Sequence, residues 1–98
     1  MATTRARSTR KALQLRLYVA GNAPNSMTAI ANIRAICDRH FPATHDLEIV
    51  DMLWHPERAL DDDVIVTPTL LRVRPLPAHR MIGNLSDTAK VLMALGAE

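Results

Sequence analysis

Leu13-Gln14-Leu15-Arg16-Leu17-Tyr18-Val19, running into Ala20-Gly21-Asn22-Ala23-Pro24-Asn25-Ser26, is the stretch on which the fold of this chain turns. Leu13, Leu15, Leu17 and Val19 fall on one face and Gln14, Arg16 and Tyr18 on the other, so period two predicts a strand over 13–19. Gly21, Asn22 and Pro24 then break the alternation and predict a turn. Asn25 or Ser26 is placed to cap a following helix by accepting from an orphan backbone N–H. In that helix Met27, Ile30, Ile33 and Cys37 recur at three- and four-residue spacing, flanked by Ala29 and Ile36, which predicts one face packed on a sheet. Pro42 ends it.

Beyond this unit, 47–53 is apolar on both faces apart from Glu48 and Asp51, the pattern of an interior strand covered on two sides. Strand, helix and strand in this order predict a right-handed crossover between parallel strands. Pro56 suits the first turn of a short helix over 56–62, where its missing N–H is not needed. The pattern predicts a strand over 69–74, with Pro68 at its start because proline cannot donate to a ladder. Pro75-Leu76-Pro77 is a stiff turn, and 79–82 returns antiparallel. After the Gly83-Asn84 turn, Ser86 is the expected cap of a last helix with Thr88, Val91, Leu92 and Leu95 on its face and Gly96 as its stop. The order βαβαββα predicts an α/β, thioredoxin-like domain over 12–98, a four-stranded mixed sheet with helices on both faces.

Composition narrows the function. The chain has 98 residues, enough for one domain, and so few aromatics that its core must be aliphatic. The net charge of +2 divides unevenly: residues 1–11 hold Arg5, Arg7, Arg10 and Lys11 and no acid, which leaves the rest at −2. The tail, without apolar periodicity, is expected to be disordered. A slightly acidic body argues against nucleic-acid binding. No apolar run is long enough to suggest a membrane span, and the single Cys37 excludes an internal disulfide and fits a reducing, cytoplasmic setting.

The chemistry of a thiol enzyme is missing. A reactive cysteine of this architecture belongs in the loop after the first strand, where a helix N-terminus lowers its pKa, and 20–26 contains none. Cys37 lies on the apolar stripe and reads as a buried thiol. Cys37, His40 and His45 match no standard zinc spacing, Asp61-Asp62-Asp63 reads as a solvated helix end, and no phosphate-binding glycine loop occurs. No catalytic residue, metal or cofactor is expected.

Three blocks in order resemble the KaiB-like family of circadian clock proteins: Leu17-Tyr18-Val19-Ala20-Gly21-Asn22-Ala23-Pro24-Asn25-Ser26, Thr67-Pro68-Thr69-Leu70, and Arg80-Met81-Ile82-Gly83-Asn84-Leu85-Ser86-Asp87. Ile49-Val50-Asp51 and Pro75-Leu76-Pro77 agree with it too. The resemblance implies a bacterial, non-enzymatic regulator that binds a KaiC-like ATPase and displaces a sensor histidine kinase with a KaiB-like domain. It also implies metamorphism between an oligomeric ground-state fold and the thioredoxin-like form. Pro68, Pro75, Pro77 and Gly83 are then the fold-switch or cis-proline positions, with Thr67–Pro68 cis in the thioredoxin-like form.

The chain departs from that family where charge matters. The resemblance puts basic residues at positions now held by Thr28, Glu48 and Asp63, and only Arg72 keeps its charge; Asn84 replaces a usual acid. Rim charges govern association rate and partner discrimination, so poor binding to a cyanobacterial KaiC is expected, and binding to a divergent relative. The short C-terminus argues against a clock-type tetramer and leaves a homo-oligomer, dimer or tetramer, open. The expected binding surface is Asn22, Pro24 and Asn25 in the first turn, with Arg72 as its charged member. Two other readings compete: a stand-alone binding module of two-component signalling without fold switching, and a glutathione-binding domain or cofactor-free enzyme using Ser26 near Pro68.

Overall fold

β1 (Leu13–Val19) occupies a central position in a four-stranded sheet of order β2-β1-β3-β4, in a computed structural model that describes residues 12–96. The basic tail, 1–11, lies outside the described residues. β1 pairs in parallel with β2 (His45–Asp51) and antiparallel with β3 (Thr69–Arg74), which pairs antiparallel with β4 (His79–Ile82). Helices α1 (Pro24–His40), α2 (Pro56–Asp61) and α3 (Thr88–Leu95) complete the expected order.

Two cores form on opposite faces of the sheet. Leu13, Leu15, Leu17 and Val19 meet Ala29, Ile33, Ile36 and Cys37 of α1, Leu70 of β3, and Val91 and Leu95 of α3. The second core is smaller: Tyr18, Val50, Ala59 and Val64, under α2. Each fully buried aliphatic side chain contributes roughly 1.5–3 kcal/mol relative to exposure, so the first core dominates. Tyr18, on the face expected to be polar, is fully buried. One hydroxyl permits that, because it finds acceptors under α2.

Several local expectations change. Ala23, not Asn25 or Ser26, is the N-cap of α1, with no side-chain cap; Pro24 opens the helix and needs no partner for a missing N–H. Ser26 instead turns inward, buried with Ala29, Ile33, Ile36 and Cys37, and this rotates the buried face away from Met27, which is half exposed. β2 is an edge strand rather than an interior one. Its apolar residues serve both cores, Leu47 and Ile49 one and Val50 the other, so coverage of both faces misled as to lateral position. Asp87 replaces Ser86 as the cap of α3, its Oδ1 accepting from the Lys90 N–H at 3.2 Å. The Ser86 N–H is itself engaged by Asn84 Oδ1, and Thr88 is exposed. Gly96 terminates α3 in the left-handed region, as expected.

Candidate functional site

Strand direction gathers four connections at one end of the sheet. Val19 pairs with Asp51 and Tyr18 with Thr69, and Thr69 pairs with Ile82. The segments 20–24, 52–55, 64–68 and 83–87 therefore leave the sheet on the same side. The first is held from within. The Ala20 N–H donates to Ser26 Oγ at 3.1 Å, the Gly21 N–H to Asp51 Oδ1 at 3.1 Å, and the Ala23 N–H to the Ala20 carbonyl at 3.2 Å. Gly21 adopts φ +55, a conformation that L side chains rarely take. Asp51 Oδ1 also accepts from the Leu53 N–H at 3.0 Å, tying the second loop to the first. The third meets the fourth where the Gly83 N–H donates to the Pro68 carbonyl at 3.1 Å.

Asn22, Pro24 and Asn25 are exposed, and among the described residues neither asparagine side chain has a hydrogen-bond partner. Around them large apolar side chains face solvent: Met27, Leu53, Trp54 (79% exposed), Ile65 (88%) and Val66. Single exposed apolar residues are ordinary; a set gathered at the end of one sheet is the kind of surface on which partners dock. The sequence reading found the asparagines and missed this rim. β2 ends at Asp51, so Leu53, which the pattern places at the end of that strand, lies instead in the loop beside Trp54; Ile65-Val66 before Pro68 was the other signal.

A charged strut positions the rim loops. α2 lies between 52–55 and 64–68, and Arg58 is paired with Glu48 of β2 through two bonds of 2.8 Å. Glu48 Oε1 also accepts from Arg16 Nε at 3.0 Å, and Arg16 Nη1 donates to Asp62 Oδ2 at 2.8 Å. The Tyr18 hydroxyl lies 2.6 Å from Asp62 Oδ2 and 2.8 Å from the Arg58 carbonyl. The bidentate Arg58 bond, joined by Arg16, holds the Glu48 carboxyl down at about 2. Burial works against the Asp62 charge, yet the bonds from Tyr18 and Arg16 outweigh it and lower its pKa. Burial, then Asp62, pushes the Tyr18 phenol up to about 12.

The remaining expected positions separate. Pro68, buried, and Gly83 join the rim end, whereas Pro75 and Pro77 sit in the β3–β4 connection at the opposite end. The Thr67–Pro68, Arg74–Pro75 and Leu76–Pro77 bonds are all cis. Arg72 lies away from the asparagines: it pairs across the sheet with Leu15 and His79, and its Nη1 and Nη2 donate to the Ala94 and Pro77 carbonyls, each at 2.8 Å. Its Nε is buried without a partner among the described residues. Thr28 is exposed and donates to the Pro24 carbonyl, Glu48 is consumed in the strut, and Asp63 has φ 58 with its carbonyl accepting from Arg80. Ser26 Oγ is buried and accepts from the Ala20 N–H. The buried Cys37 thiol is pushed up to about 11, first by burial and then by Asp38, so little reactive thiolate forms. Among the described residues no three His, Cys, Asp or Glu side chains are placed to hold a metal ion, and no helix is long and apolar enough to cross a membrane.

Known proteins resemble this chain in family and in fold. The KaiB domain pattern matches residues 16–97. The circadian clock oscillator protein KaiB of Synechococcus elongatus is 46% identical over 88 residues, covering 90% of this chain and 86% of that protein. Among solved structures, the N-terminal domain of Synechococcus elongatus SasA superposes with TM-score 0.71 at 20% identity, over 88% of this chain and 85% of that one. The thioredoxin Deadhead of Drosophila melanogaster gives 0.74 at 14% identity, over 95% and 89%. These two share the fold, whereas the family pattern and the clock-protein identity run through nearly the whole domain: the chain belongs to the KaiB family.

Proposed function

We propose that this chain is a regulatory adaptor that acts by binding, docking its apolar rim and first turn onto a KaiC-type ATPase in a timing or stress-response pathway. The observation that carries it is the rim itself, Leu53, Trp54, Ile65 and Val66 exposed around an internally bonded turn whose asparagine side chains are unpartnered among the described residues. Aromatic and aliphatic anchors supply interface energy and free amides supply orientation. Membership of a clock-protein family supports the regulatory role. A sensor kinase with a KaiB-like domain would compete for the same ATPase surface.

Trp54 is the sole tryptophan and reports docking directly. Titration with a KaiC-type ATPase from the same organism, with ATP or ADP, should blue-shift its emission in one nucleotide state. Trp54→Phe and Ile65→Ala, followed by interferometry, should weaken binding by about tenfold or more, the usual effect of removing an interface anchor. No binding in either nucleotide state sinks the reading. A signalling module without an ATPase partner is the second reading, favoured by the anionic, internally paired Glu48 at a position where the family resemblance implies a cation. Binding to a histidine kinase or response regulator alone would select it.

A further inference from the structure

The sheet carries a second candidate site, away from the rim. Register sets Arg16, Leu71 and Arg80 in a row across β1, β3 and β4, on one face of the sheet. Over that row opens a cleft of about 440 Å³, whose lining includes Arg74, Leu76 and Asp62. Two features wall it. At one side the turn after α2 is fixed by Arg16, which bonds the Asp62 carboxylate, and by Arg80, whose Nη1 and Nη2 donate to the Asp63 and Asp62 carbonyls at 2.9 and 2.7 Å. At the other stands the β3–β4 connection with Leu76.

The charge in this cleft is uncompensated. Asp62 is its one carboxylate, and Arg16 already pairs with it. Arg80 bonds carbonyls, which hold its orientation and leave its full positive charge. The Arg74 guanidinium is exposed and has no hydrogen-bond or ion-pair partner among the described residues. Each guanidinium has more N–H donors than the two that Arg16 and Arg80 use here. Such a convergence on a body that is net acidic points to an anionic ligand, and the net charge also selects its size. A long polyanion would be repelled by the rest of the domain. A compact anion would feel mainly the groups within a Debye length, about 8 Å at physiological salt. The volume lies within the usual range for small-molecule sites. Leu71 and Leu76 give it an apolar floor beside the cations.

We infer that this cleft binds a small phosphate ester, its phosphoryl group on the Arg74 fork with Arg80 alongside, and its organic part on Leu71 and Leu76. Planar guanidinium suits phosphate through paired N–H bonds, which a point charge does not provide. The chain's own tail, with Arg5, Arg7, Arg10 and Lys11, has the wrong sign to fill the cleft.

The test is calorimetry and amide NMR titration of the full chain in low salt with AMP, with inorganic phosphate, and with a hexaglutamate peptide. AMP should bind at millimolar concentration or tighter, more tightly than inorganic phosphate, and shift amides of β3 and β4. Arg74→Gln should weaken AMP by about tenfold, since a hydrogen bond to a charged group is worth about that factor or more. Because Arg74 has no partner among the described residues, the melting temperature of this variant should stay the same. Arg34→Gln, on the exposed face of α1, should leave AMP binding untouched. Silence toward AMP and phosphate alike, or equal AMP affinity in Arg74→Gln, overturns the inference. So does hexaglutamate binding more tightly than AMP through Arg74, which would assign the cleft to an acidic protein segment. None of these outcomes depends on an ATPase partner, so this site and the rim stand or fall separately.

Discussion

Replacing Tyr18 with Phe removes a single hydroxyl from the strut that holds α2 and, through it, the rim loops. That hydroxyl has one proton and two acceptors in reach, Asp62 Oδ2 at 2.6 Å and the Arg58 carbonyl at 2.8 Å. The carboxylate takes the proton, because a bond to an ionised acceptor is the stronger. Such a bond contributes roughly 1.5–3 kcal/mol net. Asp62 keeps Arg16 and its side chain is 25% exposed, so water can occupy the vacated lone pair and the low end of that range applies. The expected loss at pH 7 is about 1.5 kcal/mol, or roughly 6–12 °C in melting temperature for a domain of this size. The sign of its pH dependence follows from Asp62. The folded state holds that carboxyl below its ordinary value near 3.8, so its contribution is present above that value and fades as pH falls through the folded pKa. Urea and thermal unfolding followed by circular dichroism at pH 7 and pH 3 should therefore show a smaller difference between variant and parent in acid. A double-mutant cycle with Asp62→Asn isolates the pairwise part. A loss under about 0.5 kcal/mol at pH 7, or one that does not shrink in acid, refutes the reasoning.

Glu48, held at about 2 by Arg58 and Arg16, stabilises the fold fully above its ordinary value near 4.5 and loses that contribution as pH falls toward 2. Glu48→Gln should flatten the stability curve in that window, as read by unfolding at a series of acid pH values. Gly21→Ala meets φ +55 and places a Cβ 3.2 Å from Leu53 Cδ1, so it should cost about 1 kcal/mol, and disturb the rim enough to weaken partner binding. Arg72→Gln should lower the melting temperature, because two guanidinium bonds to the Ala94 and Pro77 carbonyls are lost. If Arg72 positions α3 without touching the partner, rim-mediated binding well below the melting point should persist, and parallel loss of binding with unchanged stability would make it a contact residue.

Elements were legible in the sequence where one interaction dominated. The alternation of Leu13, Leu15, Leu17 and Val19 gave β1 its observed bounds, and Gly96 marked the end of α3. Local hydrogen-bond competition was less visible. Ser26 and Ser86 both look like caps, but Ser26 is claimed by the Ala20 N–H and the Ser86 N–H by Asn84. Lateral position in the sheet was hidden for a different reason: β2 is apolar because helices cover both faces, and coverage says nothing about whether a neighbouring strand exists. The first turn was legible because Gly21 admits the positive φ the chain takes there and Pro24 fixes φ at the start of α1. The strut was not, because Arg16, Glu48, Arg58 and Asp62 are dispersed in sequence and converge only once β1, β2 and α2 are assembled.

That convergence bears on how the rim would work. Charge at an interface speeds encounter and rejects wrong partners, while buried apolar anchors slow dissociation. In this chain Glu48 and Arg58 neutralise each other inside the strut, Thr28 has no charge, and the Asp63 backbone is tied down by Arg80. In the rim segments 20–24, 52–55, 64–68 and 83–87 the only Asp, Glu, Lys or Arg is Asp87, while Leu53, Trp54, Ile65 and Val66 are exposed. Docking through it would draw its energy from desolvating those side chains, with Asn22 and Asn25 fixing orientation. Association of this kind depends weakly on ionic strength, whereas a phosphate ester on Arg74 and Arg80, as proposed for the cleft, would bind less as salt rises. The proposed rim and cleft would thus answer to different solution variables.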